Sequence, residues 1–131
     1  MTTDPVYELL ICTRAKIADP AHWTQHTEAR DFARSPVSPV SALAVCWCAA
    51  GALVACAPDN DRSDPVFLDA YDRLRFTAQI LIDETAGAIR GEMNIAALDT
   101  DELCAVNDVL GHAAALRMYD MAIERLQEEE T

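Results

Sequence analysis

The stretch "LAVCWCAAGALVACA", residues 43–57, holds three of the five cysteines and one of the two tryptophans, and no charged side chain. Its reading decides the fold. Taken as a helix, it sets successive side chains about 100° apart, so Cys46 and Cys48 point in nearly opposite directions and cannot share one tetrahedral metal. Cys48 and Cys56 are closer in phase but about 12 Å apart along the axis, too far for common ligation. What remains is a rod with alanine, glycine and cysteine on several faces and Leu43, Val45, Trp47, Leu53 and Val54 between them. An apolar surface all round marks a buried helix, and small residues let neighbouring helices come close. On this reading the thiols are packing units, because a buried cysteine behaves as a small hydrophobe and stays protonated in apolar surroundings.

Working outward, prolines punctuate the first half. Five of the six fall within residues 1–58 and the last is Pro65, which leaves the second half free to run as long helices. Asp4-Pro5 is an N-cap with proline at the first helical position, opening a helix over about residues 5–18 that buries Val6, Leu9, Leu10 and Ile17 and stops before Asp19-Pro20. Residues 22–40 have no sustained period and read as an ordered loop with a short strand near Trp23 to Gln25. Ser38-Pro39 or Ser41 caps the second helix, which extends to about Cys56 and the turn "APDNDRSDP". Asp64-Pro65 starts a third helix with Phe67, Tyr71, Leu74, Ala78 and Leu81 in one stripe, ending near Gly87 or Gly91. The capping-box spacing Asp99-x-x-Glu102 signals a short fourth helix ahead of Leu103, Cys104 and Val106. A last helix follows Asn107-Asp108, with Val109, Ala113, Leu116, Tyr119, Ile123 and Leu126 on one side and a fraying acidic tail over residues 128–131. The expected architecture is all-α: one compact domain, residues 1–131, of about five helices around the buried central one.

The totals set limits on function. A 131-residue chain suits one core. Its 22 acidic against 10 basic residues give a formal charge of −12, which opposes non-specific binding to nucleic acid or to an anionic membrane. Neither is expected as a partner. The opening residues lack a basic segment and a secretory apolar run, and Ala42 to Ala57 is shorter than the roughly 20 residues of a membrane helix. With an odd number of cysteines at no framework spacing, the chain is read as cytoplasmic with mostly free thiols.

Several residues admit a chemical reading beside a structural one. Cys48 as nucleophile, His112 as base and Asp108 as orienting group would form a thiol site, with Gln25 in the same cleft. His22 and His26, four apart, would face one way on a helix as metal ligands, though no third ligand is evident and two loop histidines are the plainer account. Arg30-Asp31 could anchor an anion through the arginine, or form an ion pair or backbone cap. Asn107-Asp108 reads as an N-cap or as a catalytic acid. The sequence has no glycine-rich phosphate loop, no HExxH, no CxxC pair and no GxSxG elbow. No cofactor and no metal is expected.

At "HWTQHTEARD" (22–31), "AVCWCAAGAL" (44–53) and "NDVLGHAAALRMYDMAI" (107–123) the sequence resembles a family of small uncharacterised proteins from bacteria and their phages. The family pattern is Trp-Thr-Gln, Ala-Arg-Asp, Trp-Cys-x-x-Gly-Ala-Leu, then Asn-Asp and a terminal helix ending in Asp-x-Ala-Ile. It is met by Trp23, Thr24, Gln25, Ala29, Arg30, Asp31, Trp47, Cys48, Gly51, Ala52, Leu53, Asn107, Asp108, Asp120, Ala122 and Ile123. His26 and "DFARS" stand where the family tends to have glycine. The resemblance implies no established activity and no catalytic assignment; it selects residues to test first.

The expected function is that of a cytoplasmic interaction or regulatory protein without catalysis, meeting another protein or a second copy through an acidic helical surface or the Trp23 to Asp31 loop. The alternatives are a small thiol-dependent or ligand-binding enzyme using Gln25, Cys48 and His112, and an acidic inhibitor of the phage type. The candidate site residues are Trp23, Gln25, Arg30, Asp31, Cys48, Asp108 and His112.

Overall fold

Asp4 accepts a hydrogen bond from the Val6 amide at 2.8 Å and sets proline at the first helical position, so helix α1 spans Pro5–Lys16. The computed structural model of the chain, in which this helix is the first element, describes residues 4–88 and 101–129. Val6, Leu9, Leu10 and Ile17 are buried as their spacing requires. The chain then turns at Asp19, whose carboxylate accepts from the Ala21 amide and opens a single 3₁₀ turn, Pro20–His22.

The opening stretch departs from the helical expectation in its first half. Residues 43–48 are not helical: Cys46–Trp47 is a short strand, β2, paired antiparallel with β1, Ala29–Arg30. The strand expected near Trp23 to Gln25 thus falls later, and Trp23 makes only an isolated bridge to Trp47. Leu43 is 67% and Val45 41% exposed, so this half is not core. The phase argument against a shared Cys46–Cys48 site does not apply in extended chain, where residues two apart lie on the same face. The helical half is α2, Ala49–Cys56, eight residues long and capped not by a serine but by Cys48, whose Sγ accepts from the Gly51 amide at 3.2 Å. Ala49 to Val54 are all buried.

Glycine at 51 is required by the loop and not by another helix. A Cβ there would lie 2.0 Å from the Glu28 carbonyl oxygen, inside any tolerable contact. Asn60, in the left-handed region at φ 53°, donates from Nδ2 to the Val54 and Ala55 carbonyls and closes the C-terminal end of α2.

Helix α3, Pro65–Ala88, starts where Asp64 accepts from the Val66 amide. Its stripe is buried at Phe67, Leu74, Ala78 and Leu81, with Tyr71 half-buried. The helix is described to Ala88, one residue past Gly87, near which an end was expected; Gly91 and Asp99 lie outside the described residues. Asp101 caps the short α4, Glu102–Ala105, by accepting from the Cys104 amide at 2.9 Å.

Asn107-Asp108 does not cap the last helix. Both sit within a π-helical turn, Val106–Leu110, that ends at Gly111 with φ 100°, and α5 runs over His112–Glu129. The buried face of α5 is Ala115, Met118, Tyr119, Ala122, Ile123 and Leu126; Val109 and Ala113, expected on it, are exposed. Arg73 holds Glu129 at the end of α5 through two hydrogen bonds of 2.7 and 3.0 Å.

The core lies where α1 packs on α2, α3 and α5, and α3 on α5. Thr77 Oγ1 donates across that last pair to the Met118 carbonyl at 2.9 Å, and Tyr119 OH donates to the Ala49 carbonyl at 2.8 Å. The fold is a single mostly helical domain. Its centre is shared between α1 and α2 instead of being organised on α2 alone. No helix among the described residues is long and apolar enough to cross a membrane.

Candidate functional site

A buried asparagine ties the irregular chain together. Asn107 is 1% exposed, and its Oδ1 accepts from Trp23 Nε1 at 2.7 Å and from the Ala49 amide at 2.9 Å, while its Nδ2 donates to the Thr24 carbonyl and to Asp108 Oδ1. One side chain therefore joins the loop after α1, the first turn of α2 and the turn before α5. An amide suits this position because it offers two acceptor and two donor sites in one plane. Gln25 adds to the junction by donating from Nε2 to the Asn107 and Asp108 carbonyls at 3.2 and 3.1 Å. Asp108 Oδ1 accepts from the His26 amide, and its other oxygen lies 3.8 Å from His26 Nδ1.

Arg30 holds the other side of the loop. Its guanidinium donates to Thr24 Oγ1, to the Gln25 carbonyl and to the Arg34 carbonyl at 2.9, 3.2 and 3.0 Å. All three acceptors are neutral. Asp31, next in sequence, turns its carboxylate onto the Ala33 and Ser35 amides and acts as the cap of its own tight turn. Trp47 donates from Nε1 to the Pro39 carbonyl, and Lys16 Nζ lies 4.0 Å from its ring centroid, a cation–π contact.

His112 closes the same region from α5. Its Nε2 lies 2.7 Å from the Ile17 carbonyl oxygen; since a carbonyl only accepts, Nε2 carries the proton. The imidazole also rests 5.1 Å from the Trp23 ring, tilted by 53°.

These residues form two clefts. The first, of about 480 Å³, is lined by Trp23, Gln25, His26, Arg30, Arg34 and His112, with Pro20 and Thr24. The second, of about 320 Å³, includes Cys48, Tyr71, Cys104, Asp108, Glu28 and Arg62. Trp23, Gln25, Arg30 and His112 are thus brought together, whereas Cys48 opens onto the second cleft. Burial pushes the Cys48 thiol up to about 11, offset only in part by the Gly51 and Ala50 amides, so at neutral pH it is a capping thiol and not a thiolate. Burial, with the hydrogen bond to Asp101, raises the Tyr71 phenol; at Asp101 burial pushes the carboxyl up, but the hydrogen bonds from Tyr71 and Cys104 and the charge of Arg75 outweigh it and hold the carboxyl below the usual range. His22 ends the 3₁₀ turn and His26 sits at φ 69°, so the helical i, i+4 geometry is absent. Among the described residues no group of three or more His, Cys, Asp or Glu is placed to hold a metal ion.

Three members of this constellation escape a sequence-only selection of site residues: Asn107, Arg34 and His26. Asn107 stood beside Asp108 in a pair that read as a helix cap. For Arg34 no local pattern gave a signal.

The molecule is therefore a small mostly helical domain whose loops converge on a buried asparagine. It belongs to a family of unknown function, DUF6197, whose profile matches residues 1–125. No curated protein and no solved structure matches the chain significantly.

Proposed function

We propose that this protein is a cytoplasmic, non-catalytic interaction protein that presents its 32–45 loop to another protein. The observation that carries this reading is the exposure of large apolar side chains on that loop. Phe32 is 92% exposed and Leu43 67%, with Val40 and Val45 also exposed. Several large apolar side chains exposed on one loop of an otherwise charged protein mark a candidate contact site. The loop is ordered at its base by the Asp31 turn, the Val37 amide bond to the Ala29 carbonyl at 3.0 Å and the Val45 amide bond to the Arg30 carbonyl at 2.9 Å. Its apolar groups are thereby held out in water at little further ordering cost on binding.

Arg34 is the sole charged residue between positions 32 and 45, while the whole chain carries −12. At long range that net charge steers encounter toward a basic partner and disfavours a second copy. The capping role and raised thiol of Cys48 support the absence of thiol catalysis. Five free cysteines suit a reducing compartment.

The test places a photo-crosslinking residue at position 32 in cells. Support requires capture of a basic protein that forms a complex with the purified chain and is displaced by unlabelled wild type but not by the Phe32→Ser/Leu43→Ser variant. Crosslinks only between copies, or equal displacement by the variant, would overturn the proposal.

A further inference from the structure

We infer that the cleft between Trp23, Arg30, Arg34 and His112 is a binding site for a small organic oxyanion, a carboxylate or a phosphate ester. All four titratable groups that line it, His26, Arg30, Arg34 and His112, are basic or become cationic on protonation, and no carboxylate lines it. That is unusual in a chain with 22 acidic residues. Three other clefts each carry a carboxylate: Asp69, Asp72 and Glu129 in one, Glu84 in another, Glu28 and Asp108 in the third.

The pattern of ion pairs gives a second argument. Arg14, Arg62, Arg73, Arg75 and Arg117 each meet a carboxylate. Arg30 is instead held by three neutral oxygens, which fix its position and leave its charge uncompensated. Arg34, exposed in the left-handed region at φ 70°, has no carboxylate partner at ion-pair distance among the described residues. The nearby carboxylates are engaged elsewhere: Asp31 on its own loop amides, Glu28 on Arg62, and Asp108 on the His26 amide and Asn107.

A guanidinium offers planar paired donors that match a carboxylate or phosphate edge. Arg34 supplies the free fork, Arg30 the fixed charge, and Gln25, His26 and His112 the polar rim. Trp23 and Pro20 give the walls an apolar surface for the organic part of the ligand. The net negative charge of the molecule does not cancel this. At physiological salt the Debye length is about 8 Å, so the distant carboxylates are screened while cations in the cleft wall act at contact range.

The experiment titrates the ¹⁵N-labelled full chain with sodium benzoate and, separately, sodium phenyl phosphate, each against sodium chloride at equal ionic strength. The expected result is a saturable shift of the Trp23 indole and His26 amide resonances with at least one of the two. Which of them binds more tightly distinguishes a carboxylate from a phosphate ligand. Arg34→Gln, at an exposed position, should weaken that binding by at least about fivefold, and Arg34→Lys should restore part of it. The inference is overturned if neither compound shifts those resonances beyond the chloride control, or if Arg34→Gln responds as the wild type does. Because Phe32 and Leu43 lie outside the cleft lining, the Phe32→Ser/Leu43→Ser variant should bind the anion normally, which separates this result from the docking proposal.

Discussion

Asn107 is the residue on which most of the irregular chain depends. Replacing it with alanine leaves the Ala49 amide, the Trp23 indole N–H and the Thr24 carbonyl without their partners in a site that is 1% exposed. Each unmatched buried group costs about 1–3 kcal/mol, and these act as one network. Asn107→Ala should therefore lower unfolding free energy by about 3 kcal/mol in urea titration, with loss of the native Trp23 signal. Cys48 makes a different prediction. Its folded value near 11 lies above that of an ordinary thiol, so the native state retains a proton that the unfolded chain releases. The resulting stability is present below about pH 8.5 and is lost as pH rises toward 11, by about 3 kcal/mol in full. Serine keeps a capping oxygen for Gly51 and does not titrate there, so Cys48→Ser should make the alkaline limb of a stability-against-pH curve shallower, with the Cys56 thiol, also raised to about 11, contributing to what remains. A limb unchanged in that variant would show that another group causes it.

Among the elements, α1 and α3 were legible because an Asp-Pro step fixes each start and an apolar stripe of one period follows. The 43–48 segment was not. Alanine, valine, cysteine and tryptophan satisfy a buried strand as readily as a buried helix, and what decides between them is the distant backbone of residues 28–30. The same holds for Asn107-Asp108, where local chemistry fits a cap but the side chain is taken by partners more than 50 positions away. Of the candidate site, Gln25, Arg30 and His112 could be chosen in advance by residue type and Trp23 through the Trp-Thr-Gln motif, but their convergence rests on tertiary contacts that no local spacing encodes. One element-scale consequence lies at the contact of α1 with the end of α2, where Cys12 Sγ and Cys56 Sγ are 3.1 Å apart. Oxidised glutathione should join them by thiol–disulfide exchange, each chain reducing one glutathione disulfide to two thiols. The bond would close a 44-residue separation and add up to about 4 kcal/mol by loop-closure entropy. Because burial and the neighbouring Cys12 raise the Cys56 thiol to about 11, the reaction should be slow at neutral pH and accelerate in mild alkali. Peptide mapping after oxidation would reveal the cross-link, and Cys12→Ser should abolish it.

For the molecule as a whole, −12 charges on 131 residues produce self-repulsion that the local arginine–carboxylate pairs offset only in part. Raising sodium chloride from about 10 to 150 mM shortens the screening length from roughly 30 to 8 Å. Stability should therefore increase, on the order of 1 kcal/mol. A decrease would mean that the ion pairs outweigh the net charge. The junction at Asn107 has a further consequence, in the order of events during synthesis. Trp23 leaves the ribosome 84 residues before the amide that will receive its N–H, and pairings so distant along the chain form late because a long loop must first be closed. Through most of translation Trp23, Thr24 and the start of α2 therefore lack the side chain that joins them, and a nascent chain stalled before residue 107 should be an early target for chaperones and proteases.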